Sequence, residues 1–447
     1  QQGGKSGESP PHVSRNVTFV TSHLSRSGAF VFDPWVFTAC GLIAGLYMAW
    51  TIGANDVANA MGTSVGSRVL TLRTAILVAA VFEFSGAFFA GGQVTNTLRY
   101  DVINVHVVEK VGHTMGVGML AALLASAAWL HLATWRGWPV STTHSIVGAV
   151  AGFGFAASGA DAVRWSTLAR IGTSWVISPA LGALGAWALF ILVRKLVFAT
   201  EHPVARARIV TPVLIGVVGS VLTLSMIYKG LKNLHLNLPL TQALLLAGVV
   251  GVAAGFAGKL LLVRKLVDVG EGSREDEISA VERQFRSLQV VTACYVAFAH
   301  GSNDAANAIG PMAAVLTSAG NDFLRNFGDP TTVLLALGGF GIVLGLATYG
   351  YKVIYTIGSK ITEVTPSRGF VMEFSTASVV LLGSKLGLPV STTHIIIGAV
   401  VGVGFARGMS ALNTRMVGQI IWSWVVTLPS AGLLAALFFY ALRTVFL

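Results

Sequence analysis

The chain of 447 residues is 54% hydrophobic and only 11% charged, with a mean hydropathy of +0.72 and a net charge of +11. Soluble proteins carry about 25% charged residues, so this composition excludes a soluble globular protein and predicts an all-α polytopic membrane protein. The basic residues lie mainly in short stretches between apolar segments, where they set orientation, which argues against a nucleic-acid partner and for a lipid bilayer.

The chain begins with a polar tail, residues 1–33, which is rich in Gly and Ser and lacks the apolar core of a signal peptide. Twelve apolar helical segments are predicted after it. They lie at 34–62, 71–92, 114–135, 139–160, 166–197, 210–229, 239–263, 288–318, 331–351, 368–387, 390–408 and 415–445.

Two pairs of these segments are joined by very short connections that contain a proline. Arg136-Gly137-Trp138-Pro139 links the third and fourth, and Gly387-Leu388-Pro389 links the tenth and eleventh. Because proline ends one helix and suits the first turn of the next, each pair is predicted to form a helical hairpin. Each tip carries Pro-Val-Ser-Thr-Thr-His, and the hairpins are either re-entrant or fully spanning.

The chain also repeats its polar motifs. Gly53–Ala60 (Gly-Ala-Asn-Asp-Val-Ala-Asn-Ala) returns as Gly301–Ala308 (Gly-Ser-Asn-Asp-Ala-Ala-Asn-Ala), and Ser-Trp-Val recurs around Trp175 and Trp424. The offsets are 303−55=248, 391−141=250 and 424−175=249, which indicates one duplicated unit. An odd number of crossings precedes the second copy whether or not the hairpin arms span, so the repeats are predicted to be inverted.

This duplication divides the chain into regions. The predicted regions are the tail 1–33, a first inverted repeat at 34–197, two linking spans at 198–266, a short charged loop at 267–287 and a second inverted repeat at 288–447. Lys and Arg are more frequent on the face that includes this charged loop, so that face is predicted to be cytoplasmic and both termini to lie opposite.

The Ser-Thr-Thr tips predict an anion site. A helix N-terminus presents unpaired N–H groups and the positive end of a dipole, and hydroxyls add further donors. Single Ser/Thr caps are common, but two identical tips converging from opposite sides would make a cage for a tetrahedral oxyanion. The predicted ligands are Ser141, Thr142, Thr143, Ser391, Thr392 and Thr393.

The Asn-Asp motifs predict a cation site. An Asp inside a span is costly, and two of them beside an anion cage would repel the anion unless cations or protons neutralised them. The predicted oxygen ligands are Asn55, Asp56, Asn59, Asn303, Asp304 and Asn307, with Na⁺ at Asp56 and Asp304. The flanking Gly and Ala residues would allow the helix to unwind or to pack closely. Polar contacts between helices are the structural alternative.

Four further ionisable residues remain open at this point. Glu83 and Glu373 lie within spans at non-equivalent positions and are interpreted as coupling acids or as buried structural acids. His144 and His394 follow the tips and are either neutral structural residues or proton carriers.

At these residues the chain resembles the inorganic phosphate transporter (PiT) family. The resemblance rests on the two Asn-Asp motifs, the two Pro-Val-Ser-Thr-Thr-His tips, Phe82-Glu83 and Thr365–Phe370, and it extends from about Phe37 to Leu428. It implies a homodimer that performs sodium- or proton-coupled phosphate symport, with phosphate at the tips and sodium at the Asn-Asp motifs. Its bacterial and plastid members are the most similar, and a bacterial cytoplasmic membrane is favoured over a plastid inner envelope.

Other functions were weighed against this one. A sulfate permease of the same family is the alternative, and Na⁺ is favoured over H⁺ as the co-substrate, with no other cofactor. An intramembrane hydrolase using Ser141 or Ser391 is disfavoured, because hydrolases need one asymmetric set of nucleophile, base and oxyanion hole rather than two equal halves. The protein is therefore predicted not to be an enzyme.

Overall fold

The computed structural model describes residues 33–91, 101–108, 114–227, 238–261, 273–320, 323–386 and 388–447, so the predicted tail 1–33 lies almost wholly outside it. Within these ranges the chain is helical apart from short connections. The helices are α1 (Pro34–Gly66), α2 (Leu72–Ala90), α3 (Val105–Val108), α4 (Thr114–Trp135), α5 (Thr142–Ser158), α6 (Trp165–Val193), α7 (Pro203–Ser225), α8 (Leu240–Leu261), α9 (Arg274–Ser318), α10 (Pro330–Tyr349), α11 (Tyr351–Ser359), α12 (Pro366–Lys385), α13 (Thr392–Arg407) and α14 (Thr414–Phe446).

Each of the twelve predicted apolar segments coincides with one of these helices, and α3 and α11 are additional short ones. Among the described residues, eight helices are long and apolar enough to cross a membrane, namely α1, α2, α4, α6 with the π-helical turn after it, α7, α8, α10 and α14. The chain is thus an integral membrane protein, while the number of crossings stays a prediction.

The hairpin helices α5 and α13, with 17 and 16 residues, are the shortest of the twelve helices that match predicted apolar segments. At 1.5 Å per residue they extend roughly 25 Å, less than the ~30 Å of a bilayer core. This length argues against α5 and α13 spanning the bilayer core on their own, and the re-entrant form of the hairpins stays a prediction.

The two halves exchange their packing partners. Helix α1 packs on α10 and α2 packs on α9, while α5 packs on α14 and α6 packs on α13. Close approach requires glycine: a Cβ at Gly53 would collide with the carbonyl of Ile342, and one at Gly301 with the carbonyl of Glu83. This reciprocal packing agrees with the duplication. The inverted orientation of the halves remains a prediction.

Helix α9 begins inside the charged insert at 267–287, where the sequence predicts Ser273 as the cap of a short helix over residues 274–286. Residues 262–272 lie outside the described ranges, but from Arg274 onward the insert is the first part of one continuous helix of 45 residues. Ser273 and Asp276 form a reciprocal capping box at its start. At roughly 68 Å the helix is more than twice as long as a bilayer core is thick, so its charged end projects beyond the membrane.

The flanking Gly and Ala residues of the Asn-Asp motifs were predicted either to let the helix unwind or to let it pack closely. Gly53–Ala60 lies inside the unbroken α1, and Gly301–Ala308 lies inside the unbroken α9. The helices therefore do not unwind there, and the small residues serve close packing instead.

Candidate functional site

The two hairpin tips meet in the interior of the protein, where all six hydroxyl residues of the predicted anion site are buried. Ser141 and Ser391 are the N-caps of α5 and α13, and their Oγ atoms accept hydrogen bonds from the N–H groups of His144 and His394 at 3.1 and 3.2 Å. An oxygen that accepts a cap bond retains its own proton to donate. The serines thus start the hairpin helices and still offer a hydroxyl donor.

Each tip is bound to the Asn-Asp motif of the other half. Thr393 Oγ1 donates to Asp56 Oδ1 at 3.2 Å and also lies 3.2 Å from the carbonyl oxygen of Val140 in the facing tip. Asn59 Nδ2 donates to Thr393 Oγ1 at 2.9 Å and to Asp56 Oδ1 at 3.0 Å. The other half has the equivalent contacts. Thr143 Oγ1 lies 3.4 Å from Asp304 Oδ1 and 3.3 Å from the carbonyl oxygen of Val390. Asn307 Nδ2 donates to Thr143 Oγ1 at 3.3 Å and to Asp304 Oδ1 at 2.9 Å.

Asn55 and Asn303 have a different role. Asn55 donates to Thr134 Oγ1 at 2.9 Å and to the Trp138 carbonyl at 3.1 Å, and its Oδ1 accepts from the N–H of Val140 at 3.3 Å. All three partners belong to the hairpin of its own half. Asn303 also binds the hairpin of its own half, through different bonds: its Nδ2 donates to the Val390 carbonyl at 2.9 Å, and its Oδ1 accepts from Ser384 Oγ at 2.9 Å. The geometry makes these two residues anchors of the hairpins, and their predicted role as cation ligands remains a prediction.

Asp56 and Asp304 approach each other around a histidine. His300 Nε2 lies 3.1 Å from Asp304 Oδ2 and 3.6 Å from Asp56 Oδ2, and its Nδ1 lies 3.2 Å from Glu83 Oε2. All four side chains are fully buried. Asp56, His300 and Asp304 each place one ligand atom within 4.8 Å of the others, so the group could hold a small cation.

The oxygens on the two sides of this group are not equally occupied. Asp304 Oδ2 accepts a hydrogen bond from Thr392 Oγ1 at 2.8 Å. Within the described residues, Asp56 Oδ2 and Asn59 Oδ1 are buried and accept none. Both belong to one turn of α1, and unpaired carboxylate and amide oxygens are the ligands that hard cations prefer. The donor set therefore fits a cation best on the α1 side.

Glu373 lies outside this group. Its Oε1 accepts from Thr63 and Ser64, both at 2.7 Å, and from Gln289 at 3.1 Å. Its Oε2 accepts from Thr292 at 2.7 Å. Glu83 by contrast contacts His300, so the two acids occupy non-equivalent environments, as their sequence positions predict.

The histidines of the two tips and one tryptophan each from α6 and α14 form a row of four aromatic rings that joins the halves. Its order is Trp175, His144, His394 and Trp424, with ring centroids 3.7, 4.3 and 3.6 Å apart. The indole Nε1 of Trp175 donates to the carbonyl of Pro389 at 3.3 Å, and that of Trp424 donates to Pro139 at 3.4 Å. The tryptophan of each repeated Ser-Trp-Val motif thus binds the hairpin connection of the other half, and these two indole hydrogen bonds are called the tryptophan latches below.

The structure brings together most of the residues predicted from the sequence and adds one that sequence reasoning missed. The six hydroxyls, Asp56, Asn59, Asp304 and Asn307 form one site, with Glu83 at its edge and Glu373 apart. The missing member is His300, which is not duplicated: the residue before the first motif is Ile52. Its signal was available, because an ionisable residue within an apolar helix suggests a functional site by default.

The sequence profile of the phosphate transporter family matches residues 52–435. The chain is 43% identical over 428 residues to the chloroplastic inorganic phosphate transporter 2-1 of Arabidopsis thaliana, covering 89% of this chain and 70% of that protein. A solved structure described as "The sodium-dependent phosphate transporter" is 40% identical with a TM-score of 0.82, covering 92% of this chain and all (100%) of that one.

Proposed function

Because the chain belongs to the phosphate transporter family, we propose that it is a secondary active transporter that carries inorganic phosphate across a membrane together with Na⁺, by alternating access. The observation that carries the proposal is the meeting of two Ser-Thr-Thr helix N-termini directly beside the Asp56–His300–Asp304 group. Donors for an anion and oxygens for a cation lie in one buried site, as symport requires.

The anion part of the proposal rests on the tips. The N–H groups at Thr142, Thr143, Thr392 and Thr393 stand at helix starts, where no carbonyl of the same helix can accept their hydrogen bonds. The capping serines keep a donor proton. A phosphate held between the tips would replace the direct contacts of Thr143 and Thr393 with the facing carbonyls.

The cation part rests on the unpaired oxygens. Asp56 Oδ2 and Asn59 Oδ1 supply hard ligands in the fully buried site, and the carboxylate charge would compensate a bound Na⁺. Coupling follows because the same Asp56 also holds Thr393 of the anion site through its other oxygen. We favour Na⁺ over H⁺ because one of the solved structures similar to this chain is a sodium-dependent transporter.

The protein is further proposed to be a homodimer in a bacterial cytoplasmic membrane, as the family resemblance implies. Multi-angle light scattering of the purified protein would measure the assembly. A monomeric mass after subtraction of the detergent would contradict the dimer.

Uptake of labelled phosphate into proteoliposomes tests the transport activity. An inward Na⁺ gradient should drive accumulation above the equilibrium level, and an equal K⁺ gradient should not. Accumulation that follows a proton gradient alone would replace Na⁺ by H⁺. No accumulation with either gradient would contradict symport.

Competition between anions tests the substrate. Phosphate at neutral pH keeps an O–H donor and sulfate has none, so a tip hydroxyl that rotates to accept this hydrogen bond would favour phosphate, while Asp56 Oδ2 is left to Na⁺. Arsenate, which has the shape and protonation of phosphate, should compete strongly, and excess sulfate should not. Sulfate that competes as well as arsenate would assign the chain to the sulfate permease alternative.

A further inference from the structure

A cavity beside the first hairpin contains positive charge that the central site does not use. It has a volume of about 350 Å³, within the range of small-ligand pockets. Arg136, Gly137, Trp138 and Pro139 of the hairpin connection form one side of it. The opposite side comes from Thr356, Lys360, Met416, Gln419, Ile420 and Ser423, among others.

The two cations in this cavity have no acidic partner among the described residues. The guanidinium carbon of Arg136 lies 5.4 and 5.6 Å from the ring centroids of Trp135 and Trp138, and Lys360 Nζ lies 5.3 Å from the ring centroid of Tyr355. No Asp or Glu is among the described residues that line the cavity. Gln419 and Thr356 add uncharged polar groups. A planar guanidinium and an ammonium that line one cavity are donors suited to a phosphate group.

A second cavity provides an internal control, because it lies at the equivalent place in the other half. It has a volume of about 320 Å³ and is lined by Leu386, Leu388 and Val390 of the second hairpin connection, and by Arg170 and Ser174 of α6. The repeat offsets pair these with the first cavity: 136+250=386, 138+250=388 and 423−249=174. Where the first cavity has Arg136, the second has Leu386. The duplicated fold requires a cavity at this place, but it does not require the pair of cations.

The first cavity also adjoins the central site. Pro139 lines it, and Pro139 precedes the capping Ser141 by two residues. The carbonyl of Pro139 accepts the indole hydrogen bond of Trp424, one residue beyond the lining Ser423. An anion in the cavity would therefore lie next to the Trp424–Pro139 hydrogen bond, which joins α14 to the first hairpin.

We propose that this basic cavity is a second, weaker phosphate site, in which free inorganic phosphate waits beside the first hairpin on its way to or from the tips. The inference rests on the proposed function. The face that carries Lys360 is predicted to be cytoplasmic, so the cavity would serve release after inward transport. The phosphate group of an anionic lipid has the same chemistry and is distinguished by the experiment below.

Equilibrium dialysis with radiolabelled inorganic phosphate, in phosphatidylcholine nanodiscs with Na⁺ present, tests the inference. The wild type should show a tight and a weak component. R136Q/K360Q should weaken the weak component about a hundredfold, since it removes two charged contacts that are each worth about tenfold or more, and leave the tight one within about twofold. The matched control R170Q, in the second cavity, should retain both components.

Four outcomes would overturn the inference. They are a single component in the wild type, an unchanged weak component in R136Q/K360Q, an equal loss in R170Q, and loss of the weak component when phosphatidylglycerol is added to the nanodiscs, which would assign the cavity to lipid. Absence of both components in the wild type would contradict the proposed function itself.

Discussion

The Asp56 side and the Asp304 side of the central site derive from the same repeated sequence, yet their carboxylates have different neighbours. On the α9 side, Asp304 Oδ2 accepts from Thr392 and lies 3.1 Å from His300 Nε2. On the α1 side, Asp56 Oδ2 and Asn59 Oδ1 accept no hydrogen bond among the described residues. Two copies of one motif thus give one carboxylate that is well paired and one that is available to a ligand.

The origin of this difference is a single position. His300 stands directly before the second motif, where the first copy has Ile52, and it reaches Glu83 on a helix of the other half. The duplication explains the symmetric hairpins. The His300–Glu83 contact has no counterpart in the other half, because Ile52 stands at the equivalent position, and it makes the two sides of the site different. A symporter can use such asymmetry, because cation and anion must be bound by different groups.

The largest effect is expected from removing the two carboxylate charges one at a time. Asp56→Asn and Asp304→Asn should each lower Na⁺-driven phosphate uptake at least a hundredfold, since an uncompensated buried charge costs about 3–5 kcal/mol. The Na⁺ concentration for half-maximal uptake should rise more in Asp56→Asn, because Oδ2 of Asp56 accepts no hydrogen bond among the described residues and is the oxygen proposed to bind Na⁺. Flux assays over a range of Na⁺ concentrations measure both quantities.

The control for these variants is Asp329→Asn, the same chemical change at the exposed N-cap of α10. Asn caps a helix as well as Asp does, so this variant should transport normally. If Asp56→Asn and Asp304→Asn were folded, reached the membrane and kept the wild-type Na⁺ dependence, both aspartates would be structural residues and the comparison would lose its functional meaning.

Removing His300 tests the asymmetry directly. His300→Gln takes the ring away from Asp304 and Glu83, and hydrogen bonds to charged groups contribute about 1.5–3 kcal/mol. Uptake should fall roughly ten- to a hundredfold. His202→Gln, whose side chain is 77% exposed, is the control and should have no effect. Wild-type uptake by His300→Gln would mean that the two sides act as equals.

The sequence predicts the symmetric part of this molecule far better than the asymmetric part. Apolar length and proline position identified all twelve long helical segments and both hairpins, because these are local signals. The hairpin helices begin not at Pro139 and Pro389, as predicted, but at Thr142 and Thr392, because the serines before them act as N-caps. The cap at Ser273 and the helix that follows it are predicted from the sequence, but the continuity of this helix with the apolar segment at 288–318 is not, since residues 274–287 are charged and have no apolar signal.

Tertiary contacts account for the rest of what could not be predicted. The four partners of Glu373 come from α1 and α9, and no periodicity in the sequence associates them with α12. The pairing of each Asp with the opposite tip likewise needs three dimensions. Duplication indicated that the two motifs share one site, but it could not reveal that Asn55 and Asn303 would face their own hairpins.

A smaller effect is expected at the hydroxyls of the tips. Thr392→Val removes the donor to Asp304 Oδ2, and Ser141→Ala removes a cap and a hydroxyl, so each should weaken phosphate binding by about 1–3 kcal/mol. Equilibrium binding of labelled phosphate measures the change. Ser85→Ala, on the exposed face of α2, is the control. Wild-type affinity in Thr392→Val, in Ser141→Ala and in the double variant would exclude the tips as the anion site.

The smallest effect, and the finest test of the comparison, concerns the two tryptophan latches. Trp424→Phe removes the hydrogen bond to Pro139 in the first hairpin, and Trp175→Phe removes the one to Pro389 in the second, while both keep an aromatic ring beside the histidines. A neutral hydrogen bond contributes about 0.5–1.5 kcal/mol, so local opening should become about two- to tenfold more frequent. Hydrogen–deuterium exchange should therefore rise at the first tip in Trp424→Phe and at the second tip in Trp175→Phe.

Because each tryptophan belongs to one half and the hairpin that it binds belongs to the other, faster exchange should always appear in the half that was not mutated. Faster exchange at both tips in each variant would show that the four rings move as one unit. Faster exchange only at the tip of the mutated half would show that the tryptophans do not stabilise the hairpin of the other half.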